Sequence, residues 1–597
     1  MPKYQAFLAA SLLCASMPLA SAAAPAADTV LLNASIYTID EQNHVAQGLA
    51  IRAGKIVFVG DSAGAQALAG PATHTLDLAG RTVMPGLIDG HMHPLEGGQV
   101  LLKCNLNYER LTIPQFQQRI QTCLDQSPAT QPDDWLEVVS WFREAMIPNN
   151  APTTRETLDA LHTRRPIIVV SSFGHTALVN SRALALAKLD AHTPDPQGGK
   201  ITHDAAGRPN GVLEDAAYKP VIDLVPKPLP ADDARAAEAA LKAMGQQGVT
   251  TFLDAAATAQ DIAAFAAVER ARKLTGRAHF AVLIDPPEVD DPVKAVARAK
   301  ALATQYDQGE PRAQPGITVR NIKLFMDGVI AAPALTGSML APYFENTGTA
   351  DRPHWQAGSN RGPDPYFGDR LTPLVLEAAR AGLEPHMHAD GDRAVRAALD
   401  AVEALRKNFP GSAIRAAIAH DESVDPNDFA RYQKLDAIPV LSLQWGKPAP
   451  DTIDAGKDYL GPQRFKYVEP AGYLAGAGAR IAYGSDWPVD ALNEWFALKV
   501  GATRENAPQA GDKYRGQLGE DRPLKVPQVM RAITANAAYA LHAEQSVGSL
   551  EVGKLADLIV IDRDVFKIPP REIADTQVLL TMVGGKPVYE APGFKSH

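Results

Sequence analysis

Eight short apolar runs with strand-forming character recur between residues 82 and 485 of this 597-residue chain. The runs are TVMPGLI (82–88), VTTFLD (249–254), AHFAVLI (278–284), TVRNIKLF (318–325), LEPHMH (383–388), AIRAAIA (413–419), AIPVLSL (437–443) and ARIAYGS (479–485). Ala-rich helical patterns lie between them, and the one at 231–248 ends in a glycine, where a helix C-cap is expected. Strands that alternate with helices over this length predict an α/β fold, a (β/α)8 TIM barrel.

Two histidines follow the first run. His91 and His93 in VMPGLIDGHMHP (83–94) are two residues apart, so on a strand both rings share a face and can reach one metal ion. A strand that ends in two surface histidines would show the same pattern. Four more candidate ligands close later runs: Lys323 in NIKLFMDG, His388 in EPHMHADGD, His420 in RAAIAHDES and Asp486 in RIAYGSDWP. In a barrel they would all lie at the C-terminal strand ends, where such barrels hold their active sites.

Lys323 is the unusual member of this set. Period-two alternation places Ile322, Leu324 and Met326 on the face that suits a layer of helices and points Lys323 into the barrel. An ammonium group in an apolar interior is costly unless its pKa shifts or it finds a partner. A neutral or salt-bridged lysine beside a single metal ion would meet this requirement.

Both ends of the chain carry β-rich segments outside the barrel. Neither set alone makes a stable sheet, so we expect residues 25–82 and 546–597 to form one small composite β-sandwich domain beside a barrel at 83–545. Between the first two barrel strands lie 160 residues, far more than one connection needs. This length predicts an inserted module at about 95–235.

The N-terminus has the pattern of a cleavable secretory signal over residues 1–24, with Lys3, an Ala/Leu-rich core and ASAAA at its end. A retained membrane anchor is the alternative. We expect export to the periplasm or the medium, without stable membrane association after cleavage. Removal of the signal leaves Cys104 and Cys123, which either form a disulfide or remain free buried thiols.

Length and charge limit the partners. The chain exceeds a bare barrel, which agrees with the extra modules. A formal net charge of -10 without a basic tract argues against nucleic acid or an anionic membrane as partner. A small-molecule substrate is expected, and the sequence leaves a homodimer open.

Several motifs together resemble a known family. HxH on strand 1, lysine on strand 4, histidines on strands 5 and 6 and aspartate on strand 8 are similar to the metal-dependent amidohydrolase superfamily. Other stretches resemble its family 3, with the N-substituted formamide deformylase-like and YtcJ-like proteins: PTTRETLDAL (152–161), GHTALVNSRAL (174–184), TPDPQGGKI (193–201), HADGDRAV (388–395), GSDWPV (484–489) and GSLEVGKLADLIVID (548–562). MDGVIAAPA after Lys323 and AHDES at His420 depart from the family pattern, which leaves the substrate preference open.

The resemblance implies a binuclear centre, with two zinc ions predicted and manganese, cobalt or iron as alternatives. Two residue sets would bind the ions: His91, His93 and Asp486 at one position, and His388 and His420 at the other. Lys323 would join both after carboxylation by carbon dioxide, which turns its cation into a bidentate anion. A metal-bridging hydroxide would attack the substrate, and Asp486 would pass the proton to the leaving nitrogen.

Five further residues are candidates for substrate contact: Trp141, His175, His386, Trp445 and Trp487. Aromatic rings beside the barrel mouth would suit an apolar substituent, although core packing explains such residues as well. His386 shares a face with His388 and could instead support the metal ligands. His175 resembles a substrate-contacting position of the family, with a solvated loop histidine as the alternative.

The predicted function is hydrolysis of a carbon–nitrogen bond other than a peptide bond, in a neutral N-substituted amide. Ester or lactone hydrolysis by the same site is the second interpretation. The third is a metal-binding or regulatory protein without catalysis, although such a barrel would be expected to lose Lys323 or Asp486 first.

Overall fold

The computed structural model describes most of the chain beyond its N-terminal segment. The described residues are 25–594 except 128–130, 132–133, 144–145, 149–150, 173–175, 197–198, 333, 350 and 365–367. The predicted signal at 1–24 lies outside them. Within the described part, no helix combines the length and the apolar character that a membrane span requires.

An eight-stranded parallel sheet forms the centre of the molecule. Its strands, β1 to β8, are Leu87–Met92, Val249–Ala257, Arg277–Leu283, Ile317–Phe325, Glu384–Ala389, Ala416–His420, Ala437–Leu441 and Ala482–Tyr483. Beyond β8, the Asp486 N–H donates to the His91 carbonyl and the His93 N–H to the Trp487 carbonyl, both at 2.7 Å. These bonds connect β8 to β1 and complete the barrel. The predicted α/β barrel is confirmed.

Helices cover the outside of the barrel. The principal ones are Pro230–Gln247, Ala259–Arg270, Pro292–Tyr306, Leu371–Arg380, Asp392–Asn408, Phe429–Leu435, Ala471–Gly476, Glu494–Thr503 and Val526–Arg531. The first of them buries small side chains such as Ala236 and Ala240, which lets it pack closely on its neighbours. It ends at Gly248, which adopts the left-handed conformation (φ 92°) that favours glycine, so the predicted glycine C-cap is present.

The first predicted strand is two strands in two different sheets. TVMPGLI (82–88) divides into Thr82–Pro85, which pairs outside the barrel, and the start of β1 at Leu87. Gly86 between them lies so close to Thr250 that a Cβ there would meet its side chain at 2.3 Å. The prediction of one continuous strand was wrong because both halves are buried, and an apolar run does not reveal a change of sheet.

Two further sheets contain strands from the ends of the chain. The first sheet has the order Lys55–Gly60, Gly48–Arg52, Thr29–Leu32, His74–Asp77. The second has the order Lys586–Glu590, Val578–Val583, Leu558–Ile561, Thr82–Pro85, Ser35–Tyr37, Val45–Ala46. In the second sheet Leu558–Ile561 pairs antiparallel with Thr82–Pro85, so both ends of the chain share it. One apolar cluster, with Leu31 and Val560 among its members, joins the two sheets.

A buried ion pair links this C-terminal part to the barrel. Arg277 at the start of β3 donates from Nε to Asp557 Oδ2 (2.6 Å) and from Nη2 to Asp557 Oδ1 (2.9 Å). Both side chains are at most 3% exposed. The bidentate geometry makes the pair specific, and removal of either partner would leave an uncompensated buried charge.

A third additional sheet is formed by the part of the chain that connects β1 to β2. Its order is Gly199–His203, Pro209–Asp215, Thr176–Val179, Ile167–Ser171, Leu136–Trp141, Cys104–Asn105. The helix Ile113–Gln126 packs on this sheet, with Phe116 and Ile120 in the shared core. Cys104 and Cys123 form a disulfide, so the first of the two alternatives for these cysteines is the one observed.

Deletion of residues 546–597 should give insoluble protein. The deletion removes the strand that pairs with Thr82–Pro85 and the carboxylate that neutralises Arg277, which exposes a sheet edge and a buried charge. The soluble fraction after expression measures the effect. A chain shortened only after Phe594 is the control and should stay soluble. A soluble, active protein truncated at residue 545 would contradict the expectation.

Candidate metal centre

The six predicted ligands converge at the C-terminal end of the barrel. They are placed by five strands: His91 and His93 by β1, Lys323 by β4, His388 by β5, His420 by β6 and Asp486 three residues beyond β8. Five of the six are at least nine-tenths buried, and the His93 side chain, 19% exposed, lies nearest to solvent. Residues up to 395 positions apart in the sequence therefore form one cluster.

The first group of donor atoms surrounds Asp486. Asp486 Oδ1 lies 3.0 Å from His93 Nε2 and 3.3 Å from His91 Nε2. The backbone hydrogen bonds that complete the barrel hold the same three residues. Asp486 has a φ of 57°, in the left-handed region that a residue with a side chain adopts at a cost and that recurs at functional sites.

His420 connects this group to a second one. Its ring centroid lies 4.6 Å from that of His91 and 4.7 Å from that of His388. Donor atoms of His91, His420 and Asp486 lie within 4.8 Å of one another, and so do those of His388, His420 and Asp390. His420 Nδ1 is buried and has no hydrogen-bond partner among the described residues. A buried nitrogen in this state fits a ligand to a metal ion.

Lys323 is fully buried beside the histidines. Its Nζ lies 3.3 Å from His91 Nε2 and 4.6 Å from the centroid of the Phe325 ring. Among the described residues, no carboxylate oxygen lies within 4.0 Å of this nitrogen. Burial lowers the pKa of the Lys323 amine to about 8, although Asp486 acts in the opposite direction. The period-two alternation therefore predicted correctly that this side chain points into the barrel. The structure adds that the amine has no direct counter-charge among the described residues.

Burial lowers the pKa of His93, but the hydrogen bond with Asp486 outweighs burial and raises this pKa overall. In the other three predicted histidine ligands burial favours the neutral form that binds metal. It lowers the pKa of His91 and His420 well below the usual 6.5 and that of His388 to about 3, with nearby cationic groups acting in the same direction. Burial raises the pKa of Asp486, but the hydrogen bond with His93 and other neighbouring positive charge lower it further, below its ordinary value. Neutral imidazoles and an ionised carboxylate are competent donors.

Asp89 connects β1 to the segment after β8, which together carry His91, His93 and Asp486. The sequence analysis did not identify this residue. Its Oδ1 accepts the backbone N–H of His91 (3.0 Å) and of Ser485 (3.1 Å), so one carboxylate links β1 to the segment after β8. The side chain is completely buried. Its place two residues before His91, inside the DGHMH motif, was the available signal.

Asp390 was also missed, and Asp327, at the end of strand 4, was expected only to cap a following helix. Asp327 accepts the backbone N–H groups of Ser338 (2.7 Å), Asp390 (3.1 Å) and Gly391 (2.9 Å), which ties the loop after β4 to the loop after β5. Asp390 Oδ1 is buried, has no hydrogen-bond partner in the part of the chain that the structure describes, and lies 3.6 Å from His388 Nε2. Both aspartates directly follow the ligand motifs, and only the fold shows which of their oxygens face the site.

The three tryptophans proposed for substrate contact occupy different environments. Trp445 is half-buried and stacks on His420, with ring centroids 5.5 Å apart and planes at 25°. Trp141 is 1% exposed and packs against Phe116 in the core of the inserted sheet. Trp487 is 4% exposed in the barrel core. Trp141 and Trp487 therefore have the core-packing role that the sequence left open as the alternative.

The two remaining histidine candidates also differ. His386 is 1% exposed and contacts His91, at 2.8 Å between His386 Nε2 and His91 Nδ1, so it lies behind a predicted ligand and away from solvent. His175 lies outside the described residues. Of the predicted substrate contacts, the structure brings Trp445 and His386 into contact with predicted metal ligands.

A closed parallel barrel with histidines and a carboxylate at its C-terminal end defines a metal-assisted barrel enzyme. The sequence model of the Amidohydrolase family matches residues 74–589, and the chain belongs to this family. The predicted resemblance is confirmed. Membership of this family, together with its curated relatives, identifies the protein as a hydrolase acting on carbon–nitrogen bonds.

Relatives match over almost the whole chain. The N-substituted formamide deformylase of Arthrobacter pascens is 25% identical over 588 residues, which cover 95% of this chain and 99% of the relative. YtcJ of Bacillus subtilis is 25% identical over 567 residues, covering 93% and 98%. A solved structure of an uncharacterized metal-dependent hydrolase from Pyrococcus horikoshii has a TM-score of 0.69 at 21% identity, over 91% of this chain and 99% of that one. The last comparison shows the shared fold.

Lys323→Met should stabilise the metal-free protein. Methionine fills the space without a buried amine that lacks a counter-charge, so we expect the free energy of unfolding to rise by roughly 1–3 kcal/mol. The measurement is denaturant unfolding after treatment with chelator. Lys300→Met, at an exposed helical position, is the matched control and should change little. A destabilised Lys323→Met protein would show that the lysine has a structural role.

Proposed function

We propose that the protein cleaves a carbon–nitrogen bond other than a peptide bond in a neutral N-substituted amide, with the help of bound metal. The observation that carries the proposal is the contact among four histidines, a lysine and an aspartate at the barrel mouth. Similarity to an enzyme named for N-substituted formamides supports a substituent on the amide nitrogen. The half-buried Trp445, which stacks on His420, supports an apolar substituent.

The donor atoms suit two divalent ions, for which we propose zinc. The ions would be held by His91, His93 and Asp486 at one position and by His388 and His420 at the other. Imidazole and carboxylate donors are also suited to manganese, cobalt and iron. A bound ion supplies Lewis acidity to the amide carbonyl and to the attacking water.

Lys323 would supply the anion between the two positions. Its ammonium group first loses one proton, and the neutral amine then forms a nitrogen–carbon bond with carbon dioxide and loses a second proton, which leaves a carbamate. This step replaces a buried cation by a bidentate anion and removes the cost of burying the ammonium group. The contact with His91 Nε2 at 3.3 Å and the absence of a carboxylate partner among the described residues support the proposal.

Asp486 would move the proton. Its pKa below the ordinary value keeps it ionised, so it can accept a proton from the water as the new carbon–oxygen bond forms. Asp486 then returns the proton to the substrate nitrogen while the carbon–nitrogen bond breaks, and the amine leaves in neutral form. The contacts with His91 and His93 hold Oδ1 at the place where this transfer would occur.

We also propose that the protein is exported after cleavage of residues 1–24. The disulfide between Cys104 and Cys123 supports an oxidising compartment, because such bonds are rare in the reducing cytosol. Analysis of the mature N-terminus and of the cell fraction would test this. A full-length chain in the cytosol would contradict it.

Metal content and substrate range test the proposed function together. Protein purified without chelator should contain about two divalent ions per chain, as elemental analysis would show. N-substituted formamides and amides should be hydrolysed, chelator should abolish turnover, and zinc, manganese or cobalt should restore it. Turnover of esters or lactones alone would favour the ester reaction. A metal-loaded protein that turns over no member of the panel would favour a regulatory role, and a metal-free active protein would overturn the proposal.

Asp486→Asn tests the proton transfer. The amide oxygen can still coordinate an ion, but the residue cannot accept a proton, so kcat should fall by about 10²- to 10⁴-fold with KM much less affected. The acidic limb of the pH profile should change as well. Asp490→Asn, in the same loop, is the control and should retain activity. Near wild-type turnover in Asp486→Asn with metal bound would show that the base lies elsewhere.

A further inference from the structure

His386 occupies the interior of the barrel below the donor atoms. It is 1% exposed and lies on β5, where the register pairs it with Lys323 on β4 and with Ala417 on β6. It precedes His388 by two residues, so both side chains point to the same face of the strand. His388 lies near the C-terminal end of β5 with the other predicted donors, and His386 lies two residues deeper in the barrel along the same strand.

From this position His386 reaches across the barrel to His91. β1 and β5 are four strands apart in an eight-stranded barrel, so they lie on opposite sides of it. His386 Nε2 and His91 Nδ1 are 2.8 Å apart, with ring centroids at 4.8 Å. A contact of this length between two ring nitrogens is a hydrogen bond, in which one ring donates an N–H and the other accepts through a lone pair.

The surroundings of the second nitrogen of His91 indicate which ring donates. His91 Nε2 lies 3.3 Å from Lys323 Nζ and 3.3 Å from Asp486 Oδ1. An unprotonated Nε2 accepts from the lysine and can share an ion with the carboxylate. The opposite tautomer would place an N–H at Nε2 and block this donor atom. A neutral imidazole carries one proton, so an unprotonated Nε2 requires the proton on Nδ1.

We infer that His386 is a positioning residue: it accepts the Nδ1–H of His91 across the barrel and so keeps His91 Nε2 free to bind a metal ion. The inference rests on the proposed metal centre. His386 itself then carries its proton on Nδ1. A partner that fixes the tautomer and the orientation of a ligating histidine typically changes metal affinity about 10- to 100-fold.

A direct contact between His386 and the substrate fits the structure less well. The ring is almost completely buried, and the ring of His91 occupies one side of it. Simple packing also fits less well, because an apolar side chain would fill the space but would leave the Nδ1–H of His91 without an acceptor in a buried environment. The positioning role requires a hydrogen-bond acceptor at the place of His386 Nε2, whereas packing requires only a side chain that fills the space. Substitutions can therefore distinguish them.

The test compares two amide substitutions of His386 that differ in reach. In His386→Gln the side-chain oxygen can take the place of Nε2 and accept from His91, whereas the shorter side chain in His386→Asn ends near the place of Nδ1. His386→Leu removes the acceptor. His279→Leu is the matched control, because His279 is 3% exposed on β3 and has no hydrogen bond with a predicted ligand among the described residues.

The measured quantity is the dissociation constant of Co²⁺ for the full metal-depleted chain, with a chromophoric chelator as competitor. We expect an increase of about 10- to 100-fold in His386→Leu and His386→Asn, and a change of only a few-fold in His386→Gln and His279→Leu. The visible absorption of bound Co²⁺ should change in the first two variants and remain in the others. Thermal unfolding of each variant checks that it is folded.

The outcomes separate this inference from the proposed function. If the wild-type chain binds neither Co²⁺ nor Zn²⁺, the metal centre and the inference both fail. If the wild-type chain binds metal and His386→Leu or His386→Asn binds it equally well, only the positioning role fails. Equal weakening in His386→Gln and His386→Asn would also overturn the role, since reach to His91 would then not matter. Should His386→Leu not fold, the two amide variants carry the comparison.

Discussion

The connection of β8 to β1 is the constraint on which the rest of the structure depends. β8 has only Ala482–Tyr483 as regular strand, so backbone hydrogen bonds between 91–93 and 486–487 and the link from Asp89 to Ser485 complete the barrel. The same bonds place three of the predicted donors. Closure of the barrel therefore brings these donors within contact distance, although the chain runs through the whole fold between them.

Burial acts on the donors and on the lysine in opposite ways. Removal from water lowers the pKa of three of the four imidazoles and so favours the neutral form, which is the form that binds cations. The same removal makes the ammonium form of Lys323 unfavourable. A cation among the histidines and an anion on the lysine would satisfy both demands together. The buried histidines and the buried lysine are therefore favourable only together. For this reason a single motif in the sequence indicates little until the others are found.

Much of the fold and of the donor set could be predicted because each ligand closes an apolar run. The positions of His91, Lys323 and Asp486 followed from period-two alternation and from the rule that barrel sites lie at C-terminal strand ends. The division of 82–88 between two sheets could not be predicted, since burial on both sides of Gly86 hides the break. The contact between His386 and His91 joins opposite strands, and no local pattern reports which side chains meet across a barrel.

The segment that follows the edge strand of the inserted sheet contacts the loop after Asp486. The Tyr108 hydroxyl donates to the Pro488 carbonyl at 2.8 Å, two residues beyond Asp486. The segment that carries Tyr108 begins at the edge strand Cys104–Asn105, which the disulfide ties to the helix Ile113–Gln126. The contact involves a backbone carbonyl and not a donor atom. The inserted sheet is thus joined to the loop after Asp486 without contributing a donor atom, and the barrel strands position the predicted donors.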